Sequence, residues 1–150
     1  MKYKKIFIAC PISKYLKKNS LDKDFEIFIK DIYNFCKQYN DNIFLALERE
    51  KYGQNRMYGS TCTLDDFQKM KESDLVIAFP EDSMGVAVEL GWASMAKKEI
   101  LLFVDKNYKQ SELVKAINSI TKGKTIEIDT NNGYLWQIDN IKEKIKEYIN

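Results

Sequence analysis

Residues 74–104 read DLVIAFPEDSMGVAVELGWASMAKKEILLFV. Two runs rich in apolar β-formers, 74–79 (DLVIAF) and 99–104 (EILLFV), bracket a polar, glycine-containing turn and a segment with helical spacing. A near-continuous apolar run is what a strand buried on both faces requires. Strand, helix and strand in so short a space make a βαβ unit, whose crossover is right-handed.

The same grammar extends outward. Residues 4–10 (KKIFIAC) form an apolar run ended by Pro11, 42–47 (NIFLAL) form another, and 124–128 (KTIEI) a weaker one. Between them, Phe25, Phe28, Ile29, Ile32, Phe35 and Cys36 recur at helical spacing and predict an amphipathic helix over 21–39. Helices are also expected over 63–73, 85–98, 111–120 and 134–149. In the first of these, Thr63 is read as the N-cap, with Asp65 and Asp66 in the first turn. The expectation is an α/β fold in one domain spanning 1–150: an open five-stranded parallel sheet with helices on both faces, flavodoxin- or Rossmann-like. Ligands of such sheets sit beyond the carboxyl ends of the strands, near the switch in strand order. That rule selects the loops 10–18, 48–62, 80–85 and the one after Val104. The long polar loop 48–62, with Gly53, Gly59 and several tyrosines, is of the kind that is usually functional or mobile.

Composition narrows the chemistry. Hydrophobic residues are 45% and charged residues 31%, and 24 basic against 22 acidic side chains leave a formal charge of +2. This interspersed balance predicts neither a nucleic-acid nor a membrane partner, while leaving room for a local cluster that holds a small anion. The apolar run before Pro11 is too short for a signal peptide and no stretch is long enough to span a membrane, so a cytoplasmic location is expected. Cys10, Cys36 and Cys62 stand far apart, which argues against a disulfide framework or a zinc site and for buried thiols. The chain has no histidine, which excludes Ser-His-Asp and Cys-His catalysis and HExxH metal sites. Acid-base or nucleophilic work must fall to Asp, Glu, Tyr, Lys or Cys.

Glu89 is a lone carboxylate among Val86, Val88, Leu90, Ala93 and Ala96, so it is placed either in a cleft or, alternatively, at the surface or as a cap. Gly85 and Gly91 favour the cleft, because an unneeded helical glycine costs about 1 kcal/mol relative to alanine. Ser83 stands at the loop-to-helix junction, either as an ordinary N-cap or as part of an anion site, and the two roles are compatible.

The segment SMGVAVELGWA (83–93), preceded by DDFQKMKESDLVIAF (65–79), resembles the nucleoside 2-deoxyribosyltransferase family and its nucleotide N-glycosidase relatives. The resemblance runs from the first strand to at least Val104. It implies that Glu89 attacks C1′ of the sugar and forms a glycosyl-enzyme, chemistry that suits a carboxylate and requires neither histidine nor metal. It implies that Asp66, with Asp65 as the neighbouring candidate, handles the base, although both also fit a helix-capping role. Where the nucleoside transferases carry an aspartate for the sugar 5′-hydroxyl, this chain has Ser83, the pattern of the relatives that receive a 5′-phosphate. Cys10, Pro11, Ser13, Lys14, Lys17 and Lys18 lie on the same phosphate side, where lysines also suit a solvated loop. Gly85 belongs to this subsite. The tyrosine that orients the glutamate in many members is matched here by Phe7, with Tyr58 or another loop tyrosine as a substitute. Tyr52, Met57 and Tyr58 are read as stacking surfaces for the base or as packing of the loop. The resemblance implies no cofactor and a dimer or larger homo-oligomer, for which Phe67, Met70 and Trp92 offer an apolar face if they are not core.

The expected activity is hydrolysis of a nucleoside 5′-monophosphate to base and (deoxy)ribose 5-phosphate. A base-exchanging deoxyribosyltransferase, an NAD-type glycohydrolase and a non-catalytic nucleotide-binding module stand as alternatives.

Overall fold

In a computed structural model of the protein, which describes residues 2–150, the apolar runs become strands β1 (Ile6–Ala9), β4 (Ile43–Leu45), β5 (Leu75–Ala78), β6 (Glu99–Asp105) and β7 (Gly123–Ile128). They form one sheet in the order β4-β1-β5-β6-β7, with every neighbouring pair parallel. Successive side chains of β1 point to opposite faces, as a pleated strand dictates. Ile6 and Ile8 join one apolar cluster, and Phe7 and Ala9 join the other.

The helices α1 (Lys23–Lys37) and α6 (Tyr134–Ile149) cover the first face, where Phe25, Phe28, Ile29 and Ile32 meet Ile141 and Ile145. Helices α3 (Gly59–Glu72) and α4 (Met84–Met95) cover the second, burying Met70, Val86, Leu90 and Ala93. The strand order reverses between β1 and β5, so the loops after Ala9 and Ala78 leave the sheet side by side and open a crevice there. The fold is flavodoxin-like α/β, as the residue pattern predicts.

Four segments differ from the expectation. The 10–18 loop carries a small antiparallel hairpin, β2 (Leu16–Lys17) with β3 (Ser20–Leu21), and α1 begins only after Asp22, whose side chain accepts a hydrogen bond from Phe25 N. The second strand ends at Leu45, because the good helix formers of ALER turn at once into α2 (Ala46–Arg49). Helix α3 starts at Gly59, four residues before the expected N-cap. Thr63 is therefore inside the helix, its hydroxyl donating to Gly59 O, and Asp65 and Asp66 lie in the second turn where they cap nothing. The expected helix over 111–120 is a single turn, α5 (Glu112–Lys115), capped by Ser111 and followed by a 3₁₀ turn. The chain then bends to reach Gly123, where a β-carbon would lie 1.9 Å from Ile100 O.

Candidate active site

The crevice at the β1–β5 switch is a cavity of about 620 Å³. Cys10, Pro11, Ile12, Ser13 and Lys14 line one wall, Asp82, Ser83, Met84, Gly85 and Val86 another, and Glu89, Asp66 and Arg56 complete it. Of the residues singled out from the sequence, the structure thus brings together Glu89, Asp66, Ser83, Gly85, Cys10, Pro11, Ser13 and Lys14. Tyr58 does not line the cavity: it is 71% exposed, with the Arg56 guanidinium carbon 5.4 Å from its ring. Asp65 stands outside the lining too, its carboxylate turned to Arg49. Lys17 pairs with Asp22 at 3.7 Å on the hairpin, away from the cleft. Gly91 does not clear space for the carboxylate either. It faces a separate apolar groove between α3 and α4, whereas Gly85 leaves the cleft wall open, with only Ser83 Oγ near its missing β-carbon.

Ser83 caps α4, its hydroxyl oxygen accepting from Val86 N at 3.2 Å. The first-turn N–H groups of a helix and its dipole favour an anion at this end. Lys14 reaches the same end from the first loop, 3.1 Å from Glu81 Oε2 and 3.5 Å from Asp82 Oδ1, over the ring of Tyr108 at 3.7 Å. Burial alone would lower the pKa of its ammonium group, but Tyr108 and Glu81 outweigh that and hold it above its ordinary value. Glu81 itself is buried, takes hydrogen bonds from the hydroxyls of Tyr15 (2.5 Å) and Tyr134 (2.6 Å), and has φ +45°. These contacts tie the loops after β1 and β5 to α6. Glu81 Oε2, near Lys14 but off its hydrogen-bonding direction, is left without a hydrogen bond.

Glu89 occupies the other end. Among the described residues its carboxylate has no hydrogen-bond partner; what acts on it is burial, which pushes its pKa up to about 8, with the nearby Asp66 adding to the rise and Arg49 opposing it. The neighbouring Cys10 thiol is pushed well above its usual range, first by burial and then by Glu89 and Glu81, so it stands in the cleft as a neutral wall. Asp66 is held firmly: Arg49 Nη1 donates to Asp66 Oδ1 at 2.6 Å and to Asp65 Oδ2 at 2.5 Å, and the Cys62 thiol lies 3.5 Å from Asp66 Oδ2. Phe7 is fully buried against Phe44 at 4.9 Å, and the Arg49 guanidinium lies over Phe44 at 5.4 Å. At Phe7, then, an aromatic pair supports an arginine.

Sequence reading missed both arginines. Of the 24 basic residues only Arg49 and Arg56 are arginine, and both fall within residues 48–62. In a chain that otherwise uses lysine, that is a compositional signal, because arginine alone offers a rigid planar fork of donors. Arg56 makes one ion pair, Nε to Glu50 Oε1 at 3.7 Å, and its enclosed Nε and Nη1 have no hydrogen-bond partner among the described residues. Among the described residues no group of three or more His, Cys, Asp or Glu side chains could hold a metal ion.

No family model matches the chain, and no curated protein sequence does. Solved structures do. The CMP N-glycosidase BcmB of Clostridium botulinum superposes with a TM-score of 0.64 at 24% identity, covering 91% of this chain and 98% of its own. The chain shares the fold of a CMP N-glycosidase. BlsM matches with a TM-score of 0.71 at 22% identity over 97% of this chain and 91% of its own. A conserved protein from Enterococcus faecalis V583 has a TM-score of 0.53 at 19% identity over 97% and 96% of the two chains. The helices of this fold, among the described residues, include none long and apolar enough to cross a membrane.

Proposed function

We propose that the protein is a member of the nucleoside 2-deoxyribosyltransferase family that hydrolyses the N-glycosidic bond of a (deoxy)nucleoside 5′-monophosphate. The observation that carries this reading is Glu89: a carboxylate without a hydrogen-bond partner among the described residues, on the wall of a cavity whose other end is a serine-capped helix N-terminus. A carboxylate that faces a cleft and is bound to no neighbour is free to meet a substrate carbon. Glu89, as its carboxylate, attacks C1′, the C1′–N bond breaks, and the base leaves beside Asp66 with the bonding electrons, taking its proton from water. Water then opens the glycosyl ester and frees the sugar 5-phosphate. Ser83, Gly85, Ser13 and Lys14 hold the phosphate with the first turn of α4, and Cys10 and Pro11 form the wall between the two ends.

The test is release of free base, followed by chromatography, from ribo- and deoxyribonucleoside 5′-monophosphates, nucleosides and NAD, with Glu89→Gln as control. Base from monophosphates alone, lost in the control, is the expected result; release only from nucleosides or NAD, or none at all, overturns it. An added free base that captures the sugar would move the reading to base exchange.

Arg56 completes the substrate shell, its guanidinium N–H groups that have no hydrogen-bond partner among the described residues taking acceptor atoms of the nucleotide. Arg56→Met should raise KM roughly 30-fold, the equivalent of about 2 kcal/mol for a charge-assisted hydrogen bond. An unchanged KM would leave the side chain with no part in binding.

A second copy of the chain is the proposed partner. Met84 and Met95 of α4 are each 85% exposed, and Phe67, Trp92 and Met95 line an apolar groove of about 600 Å³ between α3 and α4. An exposed apolar groove of this kind marks an interaction site. Sedimentation should show a dimer that Met95→Lys weakens; a monomer at micromolar concentration would refute it.

A further inference from the structure

Two carboxylates, Asp66 and Glu89, share one cleft and feel each other. In a low-dielectric site, a neighbouring carboxylate disfavours ionisation of Glu89. What differs is their support. Glu89 has no hydrogen-bond partner among the described residues, whereas Asp66 is gripped by Arg49 Nη1 at 2.6 Å.

Arg49 is itself held from three sides. Its guanidinium lies over the Phe44 ring, its Nη1 also binds Asp65 at 2.5 Å, and its Nη2 lies 3.8 Å from Cys62 Sγ. Its Nε is enclosed without a partner. The side chain thus cannot swing to the substrate without releasing two carboxylates. An anchored cation favours the charged form of an acid close to it.

We propose that Arg49 is the positioning residue of this site: it holds Asp66 in place and, as an anchored cation beside the cleft, makes ionisation of the Glu89 carboxyl attainable. The charged and titratable groups around the pair are Arg49 from α2, Glu50 and Arg56 from the loop after it, Cys62 and Asp65 from α3, and Cys10 from the end of β1. Glu50 is committed to Arg56 and to the Met57 N–H, and both thiols are held neutral by burial and neighbouring acids. Arg49 is therefore the cation that speaks to both carboxyls. Removing it raises the Glu89 midpoint, because that carboxyl loses the attraction that opposes its burial.

The first test does not require turnover. In protein labelled with 13C at the glutamate carboxyl carbon, the Glu89 resonance, assigned by its loss in Glu89→Gln, is followed against pH in wild type, Arg49→Met and Arg49→Lys. The midpoint should rise by at least one pH unit in the methionine variant and return most of the way in the lysine variant. In the kinetic arm, which alone rests on Glu89 as nucleophile, the ratio of kcat/KM at pH 9 to that at pH 7 should grow about fivefold in Arg49→Met. An arginine that merely props the loop would leave the midpoint in place and depress the rate equally at both pH values; either result overturns the proposal. If Arg49→Met does not fold, Asp66→Asn carries the test, and the Glu89 midpoint should fall once its anionic neighbour is gone; an unmoved midpoint refutes the coupling. Absence of base release from any substrate would refute the glycosidase reading and leave the titration result standing.

Discussion

Glu89→Gln should lower base release at least a thousandfold and, in the same molecule, make the fold more stable at alkaline pH. The loss follows from the chemistry: an amide oxygen cannot displace a base and form the glycosyl ester, so the covalent route closes. The gain follows from linkage. The carboxyl titrates near 8 in the folded protein against an ordinary value of 4.5. Between those values the folded state keeps a proton that the unfolded state has given up, so stability falls as pH rises from about 4.5 to about 8 and stays at the lower level above. Glutamine does not titrate and escapes that penalty. With allowance for water entering the cleft, the difference at pH 9 should be about 2 kcal/mol, or roughly 6 °C in Tm, and should vanish below pH 4.5. Thermal melts of both proteins from pH 4 to 9 measure it. A variant that still releases base removes Glu89 from the mechanism; one that melts with wild type at every pH means that the carboxyl is not desolvated.

Ser83→Asp should turn the substrate preference around. Aspartate caps helices as well as serine does, so α4 keeps its start. Its carboxylate, however, would stand where the phosphate is proposed to bind. At a separation of about 4 Å and an effective dielectric of about 20, two unit charges repel by about 4 kcal/mol, which corresponds to roughly a thousandfold in kcat/KM for the monophosphate. A nucleoside brings a hydroxyl in place of the phosphate, and a carboxylate accepts from it, so activity on nucleosides should hold or rise. The ratio of the two kcat/KM values is the measurement. Equal losses on both would place the phosphate elsewhere.

Much of this architecture was legible because its signals are local. Near-continuous apolar runs with β-branched residues predict buried parallel strands, and β1, β5 and β6 appear within a residue or two of their expected bounds. Ser83 was legible both as a cap and as a wall of the cleft, since both follow from one junction. The start of α3 was not. Thr63 followed by two aspartates has the chemistry of an N-terminus, but Gly59, at φ +58°, begins the helix one turn earlier and frees those acids to face Arg49. The strand expected over 42–47 and the helix expected over 111–120 are both present but shorter, for a related reason: apolar content alone does not say where a strand yields to a helix. The α4 pattern misled in one respect, because Val88 and Met95 look outward on an apolar face with no cover among the described residues. Arg49 and Arg56 lay hidden because each matters through partners distant in sequence or through having too few.

The placement of those two side chains has a practical side. Dicarbonyl reagents such as phenylglyoxal attack guanidinium groups, and this chain offers only two, one lining the cleft and one bound to an acid that does. Modification mapped by mass spectrometry thus has two informative addresses rather than a crowded background, and a bound nucleotide would register as protection at Arg56. The protein carries its own occupancy label, written in a residue type it otherwise avoids.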